Sequence, residues 1–177
     1  KSSKKLISYN NKEKEVMLMG YPMNSRRYTE DVNCFFHYKL KLELHLLKQL
    51  NKTNFNIAYK AHPDRLLELG DIYRGIAKKV ISEKFEDVWH KAEALIFTYA
   101  TTTTFGFALR YPVPIVFIES ENTLWYPERK KILNKRVVFL SSFNDTNFKK
   151  INFTMLNDAI IEAKSKKNIN ISKELIN

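Results

Sequence analysis

Short apolar runs along this chain alternate with longer stretches in which apolar residues recur every three or four positions. The run EVMLMG at residues 15–20 is typical of a buried strand, and Gly20 followed by Tyr21 indicates a turn at its end. Across residues 32–50, leucine and phenylalanine return at helical spacing, which predicts a helix packed against a core. The first pattern therefore marks strands and the second marks helices.

Further elements follow the same two patterns. Strands are predicted at residues 55–61 (FNIAYKA), 94–99 (ALIFTY), 112–118 (PVPIVFI) and 136–140 (RVVFL). Helices are predicted at residues 82–92, with Ser82 as the N-cap, at 101–110 and at 152–164. Residues 66–80 are ambiguous, since they fit a short helix and then a strand near 77–81.

This order of elements predicts the fold. Strands that alternate with helices pair in parallel, so the chain is expected to be an α/β protein with a Rossmann-like, open, mainly parallel sheet and helices on both faces. A length of 177 residues suits one domain. We expect that domain at residues 15–164, with a polar leader or linker at 1–14 and a polar tail at 165–177.

The charge of the chain attracts anions without selecting one. Lysine and arginine number 30 against 19 aspartate and glutamate, which gives a formal net charge of +11. Such a field favours nucleotides, nucleic acid or an anionic membrane surface. The charges are dispersed, however, and compositional bias of the source genome explains the richness in lysine and asparagine equally well.

Composition and missing motifs bound the setting. No apolar run reaches the roughly 18 to 20 residues that span a bilayer. The single cysteine, Cys34, stands beside Phe35 and Phe36 and is expected to be a core thiol, so a reducing cytoplasm is the simplest location. The chain lacks the GxGxxG, GxxxxGK[ST], CxxC, HExxH and GxSxG motifs, which disfavours Rossmann dehydrogenases, P-loop NTPases, structural zinc sites and serine hydrolases.

The sharpest chemical signal is the threonine run in YATTTTFG at residues 99–106. It begins a predicted helix, where backbone N–H groups without intrahelical partners and the helix dipole favour an anion. Threonine is a mediocre helix former, so a run of it suits phosphate binding better than a helix interior. The alternative is that Thr101 or Thr102 serves only as the N-cap. The phosphate-binding candidates are Thr101, Thr102, Thr103 and Thr104.

His62 is the candidate catalytic residue. Pro63 biases it toward an extended conformation at the end of a predicted strand, and ligands of open parallel sheets bind beyond the carboxyl ends of the strands. An imidazole there can donate a hydrogen bond to a phosphate or act as an acid toward a leaving group. The alternative is a turn histidine that bonds the local backbone. Nearby Arg65 either adds charge to the phosphate site or faces water.

Other residues at strand ends are weaker candidates for contacts with a nucleotide. They are Gly20, Tyr21, Pro63 and Glu119. Gly20 either permits close approach of a ligand or simply forms a turn, and Glu119 either accepts ribose hydroxyls or is a solvated carboxylate. Lys60 is expected to face solvent, and Trp125 is expected to pack in the core rather than to stack on a base.

Together these segments resemble the C-terminal half of a GT-B glycosyltransferase. The similarity lies in the KAHP turn at residues 60–63, the threonine turn and the PIV strand at 114–116, and it spans residues 15–119. Within that fold the chain resembles bacterial surface or capsular polysaccharide enzymes, which include polysialyltransferase-like and CDP-glycerol glycerophosphotransferase-like proteins. Their pattern often carries serines where this chain carries threonines.

The resemblance implies an activity. Such enzymes transfer a sugar or a polyol phosphate from a nucleotide-activated donor, with His62 at the donor phosphate and the threonines on its phosphoryl oxygens. It implies no cofactor and no metal, and the lack of a Glu-x7-Glu pair favours inversion. The acceptor and the catalytic base would belong to an N-terminal acceptor domain or a partner chain. The chain, which starts at Lys1, is therefore expected either to be an excised C-terminal domain or to be completed by a partner chain.

Two alternatives stay open at this level. A non-catalytic α/β nucleotide- or phosphate-binding module would use the same threonine turn. A nucleic-acid-binding protein is suggested by charge alone, without a helix-turn-helix or RNP motif, so no specific nucleic acid is expected as a partner. A cytoplasmic location, with peripheral contact to the anionic inner face of the membrane, fits the positive charge.

Overall fold

The computed structural model describes residues 14–21, 32–63, 71–100, 102–120, 125–142, 150–166 and 169–171. At positions 32–36, 120 and 142 it describes the backbone alone. The expectations for the Cys34 thiol, for Arg65 and for Thr101 lie outside the described residues, as do residues 66–70 of the ambiguous segment 66–80. In the rest of that segment residues 71–74 are helical and a strand begins at residue 79.

Six strands of the described chain form one sheet. They are β1 Glu15–Met19, β2 Ile57–Lys60, β3 Lys79–Ile81, β4 Ala92–Phe97, β5 Ile115–Ser120 and β6 Val137–Ser142. Every neighbouring pair is parallel, and the order across the sheet is β3-β2-β1-β4-β5-β6. This is the order of a doubly wound α/β fold, in which the direction of winding reverses between β1 and β4. The predicted Rossmann-like parallel sheet is confirmed.

Helices cover both faces of the sheet. The α-helices that pack on the sheet are α1 Val32–Leu50, α2 Phe85–Val88, α3 Thr103–Ala108, α4 Pro127–Leu133 and α5 Phe153–Ser165, and residues 71–74 are also helical. Buried residues of α1 and α5 pack on one face, and those of α2, α3 and α4 pack on the other. Within the described part of the chain, none of the helices combines the length and apolar character that a bilayer crossing requires.

Strand β1 shows how the two faces are filled. Its side chains alternate, so Val16 and Leu18 pack with α1 and α5, whereas Met17 and Met19 pack with α2 and α3. None of these side chains is more than 4 % exposed. A strand that is buried on both faces carries a continuous apolar run instead of an alternating pattern, which explains the sequence VMLM.

The structure differs from the predicted elements between β3 and β6. The helix predicted at 82–92 is shorter: α2 begins after Lys84, not at a Ser82 cap, and a 3-10 turn at Trp89–Lys91 follows it. Strand β4 begins at Ala92 because that residue pairs with Glu15 of β1. Helix α4 was not predicted, although its Pro127 occupies a first-turn position that favours helix starts.

Arg136 is a fully buried charge at the amino-terminal edge of the sheet, directly before β6. Its guanidinium donates from Nη1 to the Lys166 carbonyl at 2.8 Å and from Nη2 to the Tyr111 and Val113 carbonyls, each at 2.6 Å. Burial lowers the pKa of Arg136 to about 10, which still leaves it charged at neutral pH. The side chain thus ties the segment before β5 and the end of α5 to β6.

Candidate functional site

The carboxyl ends of β1, β2 and β4 meet around a cavity of about 200 Å³. Open parallel sheets bind ligands at this edge, near the point where the winding reverses. The polar side chains that line the cavity are those of Lys60, His62, Lys84, Glu86, Tyr99 and Thr104. The order of the strands therefore brings His62 and Thr104 to the same cavity, although they are 42 positions apart in the sequence.

His62 follows β2 and is half-buried in the cavity wall. The chain leaves the sheet immediately afterwards through Pro63, which also lines the cavity and is exposed. An imidazole in this position reaches the space where the three strand ends converge. The structure thus places His62 just after a strand, at the carboxyl edge of the sheet, as the sequence predicted.

The threonine turn also borders the cavity, through Thr104. Thr102 has extended dihedral angles, with φ −146° and ψ 143°, and its Oγ1 accepts a hydrogen bond from the Thr104 amide at 3.2 Å. Thr102 is therefore the N-cap of α3, the role that the sequence left as an alternative. Thr103 is exposed, and of the threonines that the structure describes, Thr104 lines the cavity.

The packing of neighbouring residues, without any ligand, already requires glycine at position 20. A Cβ atom at this position would clash with Tyr59 Oη and would lie 2.8 Å from Tyr59 Cζ and 3.0 Å from the Lys60 carbonyl oxygen. The Gly20 amide donates to that same carbonyl at 2.9 Å, which holds the turn after β1 against β2. The need for glycine thus arises from the tyrosine packed against it, and Gly20 also borders the cavity.

Two tyrosines join the turns after β1 and β4. The rings of Tyr21 and Tyr99 meet edge to face with centroids 4.8 Å apart, and the Tyr99 hydroxyl donates to the Gly20 carbonyl at 3.2 Å. These contacts lie directly at the reversal of winding. The cavity lies beside them, towards the face covered by α2 and α3, because Met19 and Phe85 of that face line it.

Lys60 is buried, which corrects the expectation that it faces solvent. Its side chain is 5 % exposed, and Nζ donates to the Ala61 carbonyl at 2.8 Å. Burial lowers the pKa of Lys60, while the carboxylates of Glu83 and Glu86 act in the opposite direction. Together with the exposed Lys84, it gives the cavity two amino groups that can approach an anion.

Sequence reasoning missed a buried carboxylate on α1. Glu43 is fully buried and accepts hydrogen bonds from the Tyr21 amide at 2.8 Å, the Tyr59 hydroxyl at 3.0 Å and the Tyr73 hydroxyl at 2.6 Å. The rings of Tyr59 and Tyr73 stack with centroids 3.9 Å apart. Glu43 therefore fixes the turn after β1 from the α1 side of the sheet.

Lys39 lies one helical turn before Glu43 and was missed as well. It is 2 % exposed, and Nζ donates to the Thr98 carbonyl at 2.6 Å and lies 5.4 Å from the centroid of the Tyr21 ring. Within the described chain, the buried Thr98 hydroxyl has no hydrogen-bond partner. Helix α1 thus holds both turns that border the cavity. The signal was present in the sequence, since Lys39 and Glu43 continue the buried stripe of α1 that includes Leu46.

The titration of Lys39 leads to a prediction. Burial lowers its pKa from 10.5 to about 8, with Glu43 opposing, so the folded chain gives up this proton at a lower pH than the unfolded chain. Between these values the unfolded state binds more protons, so stability must rise with pH. In Lys39→Met this contribution is absent, so the wild type gains stability with pH and the variant does not. The free energy of unfolding of the variant minus that of the wild type should therefore fall by about 2 kcal/mol between about pH 7.5 and about pH 9.5.

Urea denaturation at several pH values measures this difference. Lys60 also has a lowered pKa, and subtracting the variant from the wild type cancels its contribution. Lys41→Met is the matched control, because Lys41 is exposed on the same helix. For Lys41→Met we expect the difference in free energy of unfolding from the wild type to stay constant with pH. A constant difference for Lys39→Met as well would show that Lys39 is charged to the same extent in the folded and the unfolded state.

The remaining candidates lie apart from the cavity or outside the described residues. Glu119, at the end of β5, is 8 % exposed, forms an ion pair with Lys130 at 2.6 Å and accepts from the Ser141 hydroxyl at 3.3 Å. It joins β5 to α4 and β6 and is not in the wall with His62. Arg65 and Thr101 are not described. Among the described residues, no three histidine, cysteine, aspartate or glutamate side chains group as metal ligands would.

Fold and cavity define a Rossmann-like α/β protein with a polar cavity at the carboxyl edge of its sheet, the edge where open parallel sheets bind ligands. No protein-family model matches the chain, and no curated protein matches it either. The likeness to GT-B glycosyltransferases therefore rests on the short motifs around His62 and the threonine turn, and a function has to be inferred from the site.

Proposed function

We propose that this chain is the donor-nucleotide-binding domain of a glycosyltransferase that transfers a sugar or a polyol phosphate in cell-surface polysaccharide synthesis. The observation that carries the proposal is the cavity in which His62 and Thr104 face the carboxyl ends of the same strands. The resemblance of both motifs to GT-B enzymes supplies the reaction type. The cavity supplies the groups that such a donor needs.

The donor phosphate would lie between the threonine turn and His62. Thr104, which lines the cavity, offers a hydroxyl that can donate to a phosphoryl oxygen. Lys60 and Lys84 bring positive charge to the same space, and the carboxylate of Glu86 reduces the net positive charge there. Two lysines and one glutamate give this set a net charge of +1, which offsets half of the charge of a dianionic phosphate.

The chemical step places negative charge on the leaving phosphate. As the acceptor hydroxyl oxygen bonds to the sugar carbon, the bond from that carbon to the donor phosphate oxygen breaks; with a polyol phosphate donor, the bonds form and break at phosphorus. His62 would donate a hydrogen bond or a proton to the departing oxygen, and Thr104 would stabilise its charge. The base that accepts the proton from the acceptor would come from an N-terminal acceptor domain or a partner chain.

The proposed location follows from the proposed substrate. A nucleotide-activated donor is used in the cytoplasm, and a net charge of +11 favours contact with the anionic inner face of the membrane. An alternative use of the same cavity is a non-catalytic nucleotide- or phosphate-binding module. Binding of donor without transfer, when the acceptor half is supplied, would favour this alternative.

Nucleotide titration followed by thermal unfolding tests the phosphate site. We expect at least one of UDP, CDP, CMP and GDP to stabilise the wild type by about 2.7 kcal/mol at about 100 times its Kd. His62→Ala and Thr104→Val should each weaken that nucleotide about tenfold, since each removes a hydrogen bond to a charged group. Calorimetric titration of the same proteins gives the affinities directly.

Matched controls separate the site from general effects. His90→Ala changes a histidine at the amino-terminal edge of the sheet, and Thr154→Val changes an exposed threonine on α5. Both should bind nucleotide as the wild type does. No response of the wild type to any of the four nucleotides would rule out the proposal for this chain, as would equal losses in the site and control variants.

A further inference from the structure

A second cavity, of about 400 Å³, lies at the amino-terminal edge of the sheet, opposite to the cavity that His62 lines. Lys14 precedes β1, Ala92 is the first residue of β4 and Pro114 precedes β5, and all three line this amino-edge cavity. Its volume is within the range of sites that hold small organic molecules. The proposed donor site makes no use of it.

The wall in front of β5 is held in place by the protein itself. Val113 lines the amino-edge cavity, and its carbonyl accepts from Arg136 Nη2 at 2.6 Å. The Tyr111 carbonyl accepts from the same nitrogen at 2.6 Å, and the Tyr111 ring lies with its centroid 4.3 Å from that of Trp89, which also lines the cavity. A wall that is already ordered costs little conformational entropy when a ligand binds.

Glu93 offers an acceptor to the amino-edge cavity. Its Oε1 accepts from Lys164 Nζ at 2.5 Å, and that amino group also lies 5.0 Å from the centroid of the Phe55 ring. Within the described part of the chain, no group donates to Glu93 Oε2, and Glu93 is half-buried. Lys164 therefore fixes the carboxylate and leaves its second oxygen for a ligand that can donate, such as one with hydroxyl groups.

Two donors of the same wall have no acceptor among the residues that the structure describes. Lys14 is half-buried, and its ammonium forms no ion pair or hydrogen bond with a described residue. The indole N–H of Trp89 likewise has no described acceptor, but it is not buried. It differs in this from the buried N–H of Trp125, whose ring packs against Phe117 and Phe139 as the sequence predicted. A ligand can thus bring acceptors to Lys14 and Trp89.

The charges of the amino-edge cavity favour a monoanion. Two lysines and one glutamate, Lys14, Lys164 and Glu93, give a net charge of +1. One carboxylate balances this charge, whereas the second negative charge of a phosphate dianion would face Glu93 without compensation. His90, the other titratable side chain of the wall, adds positive charge only when it is protonated.

We propose that the amino-edge cavity binds a hydroxylated carboxylate about the size of one sugar ring, the class to which the uronic acids belong. The carboxylate would pair with Lys14, a hydroxyl would donate to Glu93 Oε2, and C–H groups would lie against Trp89, because the face of an indole ring is negative. An uncharged sugar would leave Lys14 unpaired, and a simple carboxylate would leave Glu93 without a donor. The inference is independent of the proposed function, since the two cavities lie at opposite edges of the sheet.

Two-dimensional NMR titration of the isotope-labelled chain measures affinity and location together. The probes are glucuronate, glucose, acetate and inorganic phosphate, at equal pH and ionic strength. We expect glucuronate to bind with a Kd of about 1 mM, and glucose and acetate to bind about tenfold more weakly, since each lacks one of the two polar contacts. The amide signals of Ala92, Glu93 and Val113 should shift, and those of Gly20 and His62 should not.

Matched variants test the two polar contacts. Lys14→Met should remove the preference for glucuronate over glucose, and Glu93→Gln should reduce the preference for glucuronate over acetate, each by about tenfold. The controls lie outside the cavity wall: Lys78→Met removes an exposed lysine before β3, and Glu162→Gln changes another carboxylate that pairs with a lysine. Both should bind glucuronate as the wild type does. The same spectra show whether each variant is folded.

Several results would overturn the inference. Absence of saturable shifts with glucuronate at about ten times the expected Kd would exclude the site. Equal affinity for glucuronate and acetate would mean that Lys14 attracts any anion, and phosphate that binds at these amides as tightly as glucuronate would contradict the preference for a monoanion. Equal losses of affinity in the cavity variants and in the controls would place the ligand elsewhere on the surface.

Discussion

Arg136→Met is expected to destabilise the fold by about 3–5 kcal/mol, since it removes three hydrogen bonds that the buried guanidinium donates to backbone carbonyls. Those carbonyls belong to Tyr111, Val113 and Lys166 and lie within 2.8 Å of the guanidinium. Methionine keeps most of the length of the side chain, so the effect isolates the lost hydrogen bonds. Urea denaturation followed by circular dichroism measures the loss as a lower midpoint at an unchanged m-value.

Two further substitutions define the cause. Arg136→Lys keeps the charge but has a single nitrogen, which cannot reproduce the geometry of a guanidinium, so an intermediate loss is expected. Arg110→Met changes an exposed arginine and should lie within about 0.5 kcal/mol of the wild type. Nucleotide affinity of the folded variants should not change, because Arg136 lies at the edge opposite to the cavity. An Arg136→Met protein as stable as the Arg110→Met control would contradict this account.

Five of the six strands were predictable, because each contains a short apolar run that is typical of a buried strand. Strand β3 was left ambiguous, and of its three residues only Ile81 is buried. The run VMLM in β1 is covered on both faces, and the strand follows directly. Helix α4 was not predictable by the same means, since its sequence PERKKIL has too few apolar residues to show a period. The end of α2 depends on pairing between Ala92 and Glu15, which no local pattern contains.

Part of the candidate site could likewise be predicted from the sequence, and part of it could not. His62 and Thr104 could be placed together because strand ends of a parallel sheet converge, a rule that needs only the order of elements. The burial of Lys39 and Glu43 could not be predicted, because charged residues are mostly exposed and the partners of these two lie far along the chain. Lys39 bonds a carbonyl 59 residues away, and Glu43 accepts from a hydroxyl 30 residues away. Only the folded sheet supplies these partners.

Glu43→Leu is expected to cost about 3–5 kcal/mol of stability, because it leaves the Tyr59 and Tyr73 hydroxyls and the Tyr21 amide without their acceptor. It also removes the carboxylate that favours the charged form of Lys39, so the pKa of Lys39 should fall further below its ordinary value. Urea denaturation measures the loss. Glu162→Leu, at an exposed surface pair, is the control and should change stability by less than about 1 kcal/mol.

A double-mutant cycle shows whether Glu43 and Lys39 act together. In Glu43→Leu the ammonium of Lys39 stays buried without a nearby carboxylate, so adding Lys39→Met should recover part of the loss. The recovery should diminish above about pH 9, where Lys39 is neutral in the folded state whether or not Glu43 is present. Additive losses at every pH would mean that the two residues do not interact, and that Glu43 stabilises the turn after β1 through its tyrosines and the Tyr21 amide alone.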